Sequence, residues 1–433
     1  MHLSSPSTPS YWLHEAPYQL NSENPLPAKA DIVIVGAGLT GMSAAYWLTQ
    51  MRPELSVVVV DARGVSSGAT GRNGGIICPG LNDDFEDTVN SYGMASAERL
   101  VNFDYRNVEW LDKFLRQHAD NDKGTFDPEL TWMKHGTIVA WSNQQEADES
   151  RERAEQLARS VSDMRVLSPE ELQAITGIKT YKYGGLQIKT TAIAWAAKIV
   201  FCLARAVEKK VIIATHTRVD RVENEGPVNR VITSRGVIET PKVAFCTNAW
   251  TQHLVKSFHN YLVPVRNQVV SVRAPENMPP MDYVLSANRG YQYMSRRPNG
   301  DLIMGGMRDI VPNKQEHEDD DSVLNLAVSS GLRDFMRNVM QVPVAMEREW
   351  VGVMGFSMRD GLPFVGSLEK LTGKSGQFVA AGFTGHGMPR TFLCGRAIAQ
   401  ILTDQELESW FPTEFLVDHP SRAYLSDSTG SKL

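Results

Sequence analysis

The chain has 433 residues, 42% of them hydrophobic and 22% charged, which excludes disordered, collagen-like and coiled-coil architectures and exceeds what one ordinary core encloses. Two domains are expected. Lys and Arg number 44 against 50 Asp and Glu, a net charge of -6 without a basic run, so nucleic acid is excluded as a partner because phosphate neutralisation needs clustered cations.

Residues 1–29 are rich in Ser, Pro and Asn and read as an extended arm that Tyr11, Trp12 and Tyr18 pin to the surface. Its start, MHLSSPSTPSYW, has neither the charged n-region nor the apolar h-region of a secretory signal. The pattern then predicts a strand over Asp31–Val35, a glycine-rich turn, a helix over about 40–51 and a strand over Val57–Val60. This βαβ opening has the continuous Val and Ile runs of a sheet buried on both faces. Thr137–Trp141 reads as a strand and Gln144–Ser160 as a charged helix. Thr190–Val207 is the longest apolar stretch, but Lys198 and Arg205 interrupt it, and Trp195, Ile199, Cys202, Leu203 and Ala206 fall at helical spacing. It reads as an amphipathic internal helix; no run reaches the ~18 uncharged residues a spanning helix needs, so no membrane partner is expected.

Val211–Ala214, Val228–Thr233 and Val243–Cys246 read as strands, and residues 261–308 alternate as strands with turns at Pro298-Asn299-Gly300 and Gly305-Gly306. Glu316–Asp321 (EHEDDD) reads as a solvated loop, and no metal is expected there. A Gly- and Pro-rich stretch, Gly361–Gly366, precedes a strand over Phe378–Ala381, a glycine turn, Pro389 at a first helical position and a helix to about Leu402. The chain ends on Ser431-Lys432-Leu433 after a polar run, a sequence read by the peroxisomal import receptor. A peroxisomal location is expected, or a cytoplasmic one if that ending is accidental. Cys78, Cys202, Cys246 and Cys394 form no C-x-x-C, which argues against disulfides and structural zinc and fits a reducing compartment.

Three segments carry chemistry. Gly36-Ala37-Gly38-Leu39-Thr40-Gly41 is a G-x-G-x-x-G between strand and helix. Gly36 permits the tight turn, Gly38 lets the backbone approach a pyrophosphate, and Gly41 lets helix and strand pack closely. Phosphates then sit on the helix N-terminus, and Asp61, twenty residues on, accepts from ribose hydroxyls. Ser67 to Gly75 (SGATGRNGG) surrounds one Arg with small residues, a loop whose N–H groups either touch phosphate and a flat ring or form a flexible surface loop. Ala380 to Pro389 (AAGFTGHGMP) points a second helix end out of a glycine turn, where a reduced flavin would favour it.

With the Ser10-Tyr11-Trp12 arm, KVAFCTNAW (Lys242–Trp250), GDLIMGG (Gly300–Gly306), WVGVMGFSMRDGLPFVG (Trp350–Gly366) and GFTGHG (Gly382–Gly387), these motifs span the chain. The chain resembles the FAD-dependent amine and amino-acid oxidoreductases of the D-amino-acid oxidase/sarcosine oxidase superfamily, most of all the γ-glutamylputrescine oxidoreductase-like branch. The resemblance implies an α/β fold: a Rossmann-like FAD-binding domain of glutathione-reductase type, interleaved with an α+β substrate domain on a mostly antiparallel sheet. The expected division is an arm over 1–29, an FAD domain from 30–115, 186–256 and 351–405, a substrate domain from 116–185 and 257–350, and a tail over 406–433.

By the same resemblance Gly36, Gly38, Leu39, Thr40, Gly41, Asp61, Ala62 and Arg63 hold the ADP half of FAD. Ala69, Thr70, Gly71, Arg72, Asn73, Gly74 and Gly75 approach the pyrophosphate and flavin, and Val219 meets the adenine edge through its backbone. Thr247 and Trp250 complete the set, with Gly382, Gly385, His386, Gly387 and Met388 at the pyrimidine edge. Relatives attach FAD through a Cys absent from residues 307–349 or a His absent near Ala69-Thr70, so the FAD is expected to be non-covalent. The carboxylate-binding Lys of N-methyl amino-acid oxidases is replaced by Pro389, followed by Arg390, which speaks against an α-carboxylate substrate; no Lys stands between Tyr261 and Val272 to activate oxygen.

The activity implied is oxidation of a primary or secondary amine or an amino-acid derivative, with hydride transfer from the amine carbon to flavin N5, imine hydrolysis and reoxidation by O2 to H2O2. The alternatives are a dehydrogenase with another acceptor and a flavin-binding subunit or sensor without turnover; an NAD-dependent dehydrogenase would leave the Arg72 loop and the 382–388 turn without purpose. Three residues are catalytic candidates. His386 either steadies reduced flavin or bonds its own turn. Tyr291, with Tyr293 on the same strand face, either walls a substrate cavity or packs in the core. Arg266 either binds substrate- or oxygen-derived charge or makes a surface ion pair. Trp132 reads as core, as does Trp250 outside the resemblance.

Overall fold

The computed structural model describes residues 7–14, 25–80, 85–120, 124–276, 278–341 and 346–425. Tyr18 and Ser431-Lys432-Leu433 lie outside them. The strands Ile32–Val35 and Val57–Val60 pair in parallel and head a six-stranded sheet ordered Phe364–Ser367, Gln377–Ala381, Lys242–Phe245, Ile32–Val35, Val57–Val60, Val211–Ala214. All its pairings are parallel except the edge strand Phe364–Ser367, which runs antiparallel to Gln377–Ala381. The unbroken β-branched runs suit burial on both sides. Ile32, Ile34, Val57 and Val59 enter one core, while Val33, Val35, Val58 and Val60 enter another.

Against the first core lie the helices Leu39–Met51, Ala196–Val207 and Thr391–Leu402. Gly395 allows the last of these to meet the first closely: a Cβ there would lie 2.6 Å from Ser43 Cβ. The other face is covered by an antiparallel three-stranded meander of Val219–Glu225, Val228–Thr233 and Gly236–Thr240.

A second sheet has eight strands in the order Met346–Ser357, Leu262–Arg273, Asp301–Gly306, Gln292–Arg296, Val284–Ala287, Thr137–Ala140, Gly185–Ile188, Met164–Leu167. Its pairings are antiparallel except Val284–Ala287 with Thr137–Ala140. Period-two alternation sends Val270, Val272, Leu302 and Met304 into a core shared with the helix Leu326–Asn338, while Val269 and Ile303 face the core under the first sheet.

Several expectations are corrected. Gly305-Gly306 is not a turn but the end of the strand Asp301–Gly306, because Tyr293 lies across Gly305: a Cβ there would stand 2.1 Å from the phenol oxygen. The helix expected from Thr190 begins at Ala196, since Ala192–Ile193 pairs with Ile76–Ile77 and Thr131–Trp132. Pro389 sits in the turn before the helix Thr391–Leu402, and Phe364–Ser367 is a strand within the Gly/Pro-rich stretch. Trp132 is 43% exposed, not core.

The arm does not rest on the surface. Tyr11 and Trp12 are buried among Trp195 and Trp350, and Trp12 Nε1 donates to Asn73 O at 2.6 Å. Nor is the acidic run simply solvated: Asp321 is buried, 2.7 Å from Arg63 and 3.6 Å from Arg72. The boundaries expected at 115, 185 and 350 fall inside the helix Met94–His118 and the strands Gly185–Ile188 and Met346–Ser357. The expected tail is packed as far as Leu425, where Arg422 pairs with Asp360 at 2.9 Å. Among the described residues no helix is long and apolar enough to cross a membrane, and no cluster of His, Cys, Asp and Glu could hold a metal.

Candidate active site

A cavity of about 1090 Å³ lies at the carboxyl ends of the parallel strands, reached by Val35, Val60 and Cys246, and continues to the larger sheet. That is the crevice in which open α/β sheets bind ligands, and its volume lies just above the ~300–1,000 Å³ range of small-molecule sites. At one end the chain turns through Gly36 (φ 113), and Gly38 caps the helix Leu39–Met51. Asp61 ties this turn: its carboxylate accepts Ala37 N and Arg63 N, each at 2.8 Å. Thr70 Oγ1 accepts Leu39 N at 3.2 Å, joining the helix start to the second glycine loop.

Of the expected cofactor residues, Gly36, Gly38, Leu39, Thr40, Asp61, Ala62, Arg63, Ala69, Thr70, Arg72, Asn73, Gly74, Val219, Thr247, Trp250, Gly385, His386, Gly387 and Met388 all line this cavity. Gly41, Gly71, Gly75 and Gly382 do not. They are packing glycines behind the wall: a Cβ would stand 1.9 Å from Gly36 O at Gly41, 2.1 Å from Ser66 O at Gly71, 2.6 Å from Ala194 O at Gly75 and 3.0 Å from Phe364 at Gly382. Arg72 reaches the wall, but its guanidinium is buried and bonded elsewhere, to Ser67 O at 2.9 Å, Thr8 O at 2.8 Å and Val351 O at 3.0 Å. Desolvation brings it down to about 10. It clamps the arm to the second glycine loop and the larger sheet.

At the other end Tyr291, Tyr293, Phe356, Met354 and Trp141 form an apolar and aromatic wall. Tyr293 is pressed against Gly74, whose Cβ would lie 2.6 Å from the ring, and its hydroxyl accepts Asn267 Nδ2 at 2.9 Å. Burial pushes its phenol up, so it stays neutral. Tyr291 lies one residue before the strand Gln292–Arg296 yet faces the cavity with Tyr293. His386 is in the wall, with Nδ1 3.1 Å from Thr384 O. Arg390 is no anchor for a ligand: it is buried in a two-bond pair with Asp104, at 2.9 and 3.2 Å.

Arg266 is corrected. It shares strand parity with Gln268 and Val270, so it faces away from the cavity, where Nε donates to Gln315 Oε1 at 2.8 Å and NH1 to Asp320 O at 3.2 Å. Its neighbour Asn267 lines the cavity instead. Sequence reasoning also missed Asn248, whose left-handed backbone (φ 44) aims Oδ1 at Gly382 N, 3.0 Å away, joining two strand ends. It missed Arg308, Met354 and Phe356 as well. Period-two parity from Val269 would have pointed to Asn267; nothing in the sequence marks the loop residue Arg308.

Whether these residues suit a dinucleotide can be judged from unmet polar groups. Trp250 Nε1, Asn267 Oδ1 and Thr391 Oγ1 are buried in residues of the cavity wall with no hydrogen-bond partner among the described residues. Buried polar atoms of this kind call for a polar ligand. With the helix end for phosphates and Asp61 for a ribose, the donor set fits FAD.

A glycine turn at a strand end, opening into a chamber walled by a second sheet, defines a dinucleotide-dependent oxidoreductase. The chain belongs to the DAO family, FAD dependent oxidoreductase, whose model matches residues 31–401. It is 24% identical over 392 residues to the probable oxidoreductase OrdL of Haemophilus influenzae, covering 88% of this chain and 85% of that one. It is 25% identical over 387 residues to γ-glutamylputrescine oxidoreductase of Escherichia coli, covering 86% and 83%. Among solved structures, glycine oxidase from Geobacillus kaustophilus superposes with a TM-score of 0.73 at 19% identity, over 91% of this chain and 100% of that one. L-proline dehydrogenase from P. horikoshii superposes equally, 0.73 at 18% identity over 92% and 98%. These likenesses show the fold. FAD is the cofactor.

Proposed function

We propose that the protein is an oxidase of a primary or secondary amine or an amino-acid derivative, with O2 as acceptor and H2O2 as product. The observation that carries this reading is the aromatic chamber of Tyr291, Tyr293, Phe356 and Trp141, continuous with the dinucleotide end of the same cavity. The names of γ-glutamylputrescine oxidoreductase and glycine oxidase support amine chemistry. Oxygen is the acceptor in this reading because it needs no docking partner to carry electrons away. FAD, held by the Gly36–Gly38 turn, Asp61 and the Ala69–Gly74 loop, would supply the hydride acceptor for oxidation of an amine to an imine.

The chain's own task is positioning. The aromatic wall excludes bulk water and fixes the C–H that reacts. Asn267 Nδ2 donates to Tyr293, and Tyr293, neutral and accepting from Asn267, keeps its own proton to donate. Asp104 and Arg390 hold the Gly385–Met388 turn, with Asn107 Nδ2 donating to Met388 O at 3.3 Å.

The test is the visible spectrum of the purified protein, titrated anaerobically with polyamines, N-alkyl amino acids and D- and L-amino acids. Loss of the ~450 nm flavin band, restored with peroxide on admitting air, is expected. Bleaching that air does not reverse would favour another acceptor. A band that no amine bleaches would overturn the reading and favour a flavin-binding subunit.

A further inference from the structure

The larger sheet carries one row of side chains outward from the cofactor end of the cavity. Tyr293 pairs with Ser286, Ser286 with Val139, and Val139 with Leu186, across adjacent strands. Directly paired residues share a sheet face, and all of these line the cavity. Neighbouring strands lie ~4.8 Å apart, so the row runs about 14 Å from Tyr293, which presses on Gly74, to Leu186. The helix Gln144–Ser160 packs on the strands at the Leu186 end, with Ala154 and Leu157 in the same core as Leu186. Ser150, Arg153, Ala154 and Leu157 line the cavity at the spacing of one helical face. Trp141, two residues past Val139, also lines it and shares the core of Leu157 and Leu186, where the space ends.

Sheet and helix thus enclose a slot that leads away from the second glycine loop. Its polar groups are few. Tyr293 accepts from Asn267, Ser286 carries the other hydroxyl of the row, and Arg153 is already engaged within the protein. Beyond Ser286 the floor is Val139 and Leu186 and the roof is Ala154 and Leu157, all hydrocarbon. A polar chain laid there would give up water without finding partners, whereas an apolar one gains from every group it buries. A compact amine held beside Tyr293 and Phe356 would leave the slot unused.

We propose that the substrate is an amine carried on an extended apolar chain, and that this chain lies in the slot between the Tyr293–Leu186 row and the helix Gln144–Ser160. Val139, Ala154, Leu157 and Leu186 then set the chain length accepted. The inference rests on the amine-oxidising reading above and names the class of amine.

The probes are the straight-chain amines from propylamine to decylamine. Their binding to the holoenzyme is measured anaerobically by calorimetry, with flavin bleaching followed alongside. For the native protein the dissociation constant is expected to fall about threefold per added methylene until the slot is full. Ala154→Trp fills the slot, and should abolish that gain while leaving propylamine binding within about twofold. Leu186→Ala lengthens the slot, and should move the limit to a longer chain. Flavin content and unfolding midpoint report whether each variant is folded; if Ala154→Trp is not, Leu186→Ala carries the comparison. Dissociation constants that ignore chain length in the native protein would overturn the proposal. So would a folded Ala154→Trp that keeps the gain, or a folded Leu186→Ala whose limit stays in place. Chain-length-dependent binding in a protein whose flavin no amine bleaches would leave the slot standing and remove the oxidase reading.

Discussion

Cys78 and Cys246 both line the cavity, and burial pushes their thiols up to about 11 and about 12 respectively. At neutral pH they are thiols, and the thiolate that reacts is scarce. The sign follows directly: thiolate rises with pH, so labelling by Ellman's reagent on the native holoenzyme should accelerate about tenfold per pH unit between roughly 7 and 10. A flat profile would show that a thiol is ionised in the site. Scarce thiolate also leaves no cysteine nucleophile poised against the flavin. Acid precipitation should therefore release the yellow cofactor into the supernatant; colour kept in the pellet would mean a covalent bond.

The opening strand–turn–helix contains glycines with opposite duties. A Cβ on Gly41 would stand 1.9 Å from Gly36 O, a backbone atom that cannot move aside. A Cβ on Gly38 would meet Thr70 Oγ1 at 3.4 Å, an ordinary contact. Gly41→Ala should thus break helix–strand packing and cost more than about 4 kcal/mol. Gly38→Ala should fold with about 1 kcal/mol or less of loss, yet retain FAD poorly because the added methyl stands where the pyrophosphate approaches. Urea unfolding of the apoproteins, together with flavin content after dialysis, separates the two. Equal unfolding midpoints for both variants would contradict the assignment.

Across the whole molecule, the arm works as a core element. Trp12 packs on Trp195 and Trp350, accepts Trp195 Nε1 at its carbonyl at 2.8 Å, and supports Gly75 and Asn73 beside the cavity. Thr8 binds Asp321 and Arg72, so one short segment ties the acidic loop to the second glycine loop. Trp12→Ala should cost about 3–5 kcal/mol and loosen FAD retention, because the cavity left behind cannot close without moving that loop. Trp132→Ala, at an exposed site, should change stability by about 0.5 kcal/mol or less. Equilibrium unfolding of the pair checks this, and a smaller loss at Trp12 than at Trp132 would refute it.

Local patterns were sufficient for the nucleotide end. The Val and Ile runs, the G-x-G-x-x-G and Asp61 each act over a few residues, and they were legible because a buried parallel strand and a helix-bound phosphate demand those residues wherever the rest of the chain goes. The charged helix Gln144–Ser160 was legible for the same local reason. Long-range packing decided the rest. Arg266 and Asn267 are adjacent in sequence, and only the placement of the larger sheet over the cavity turns one away and the other inward. Arg72 and Asp321, read as parts of separate loops, are drawn into one clamp by an arm hundreds of residues away from the acid. Gly305 looked like a turn until Tyr293 claimed the space beside it. Arg308 meets Tyr291 and Phe356 through a turn and two strands. Composition and periodicity carry no record of which side chain will fill which space, so the cofactor site belongs to the sequence and the substrate chamber to the tertiary fold.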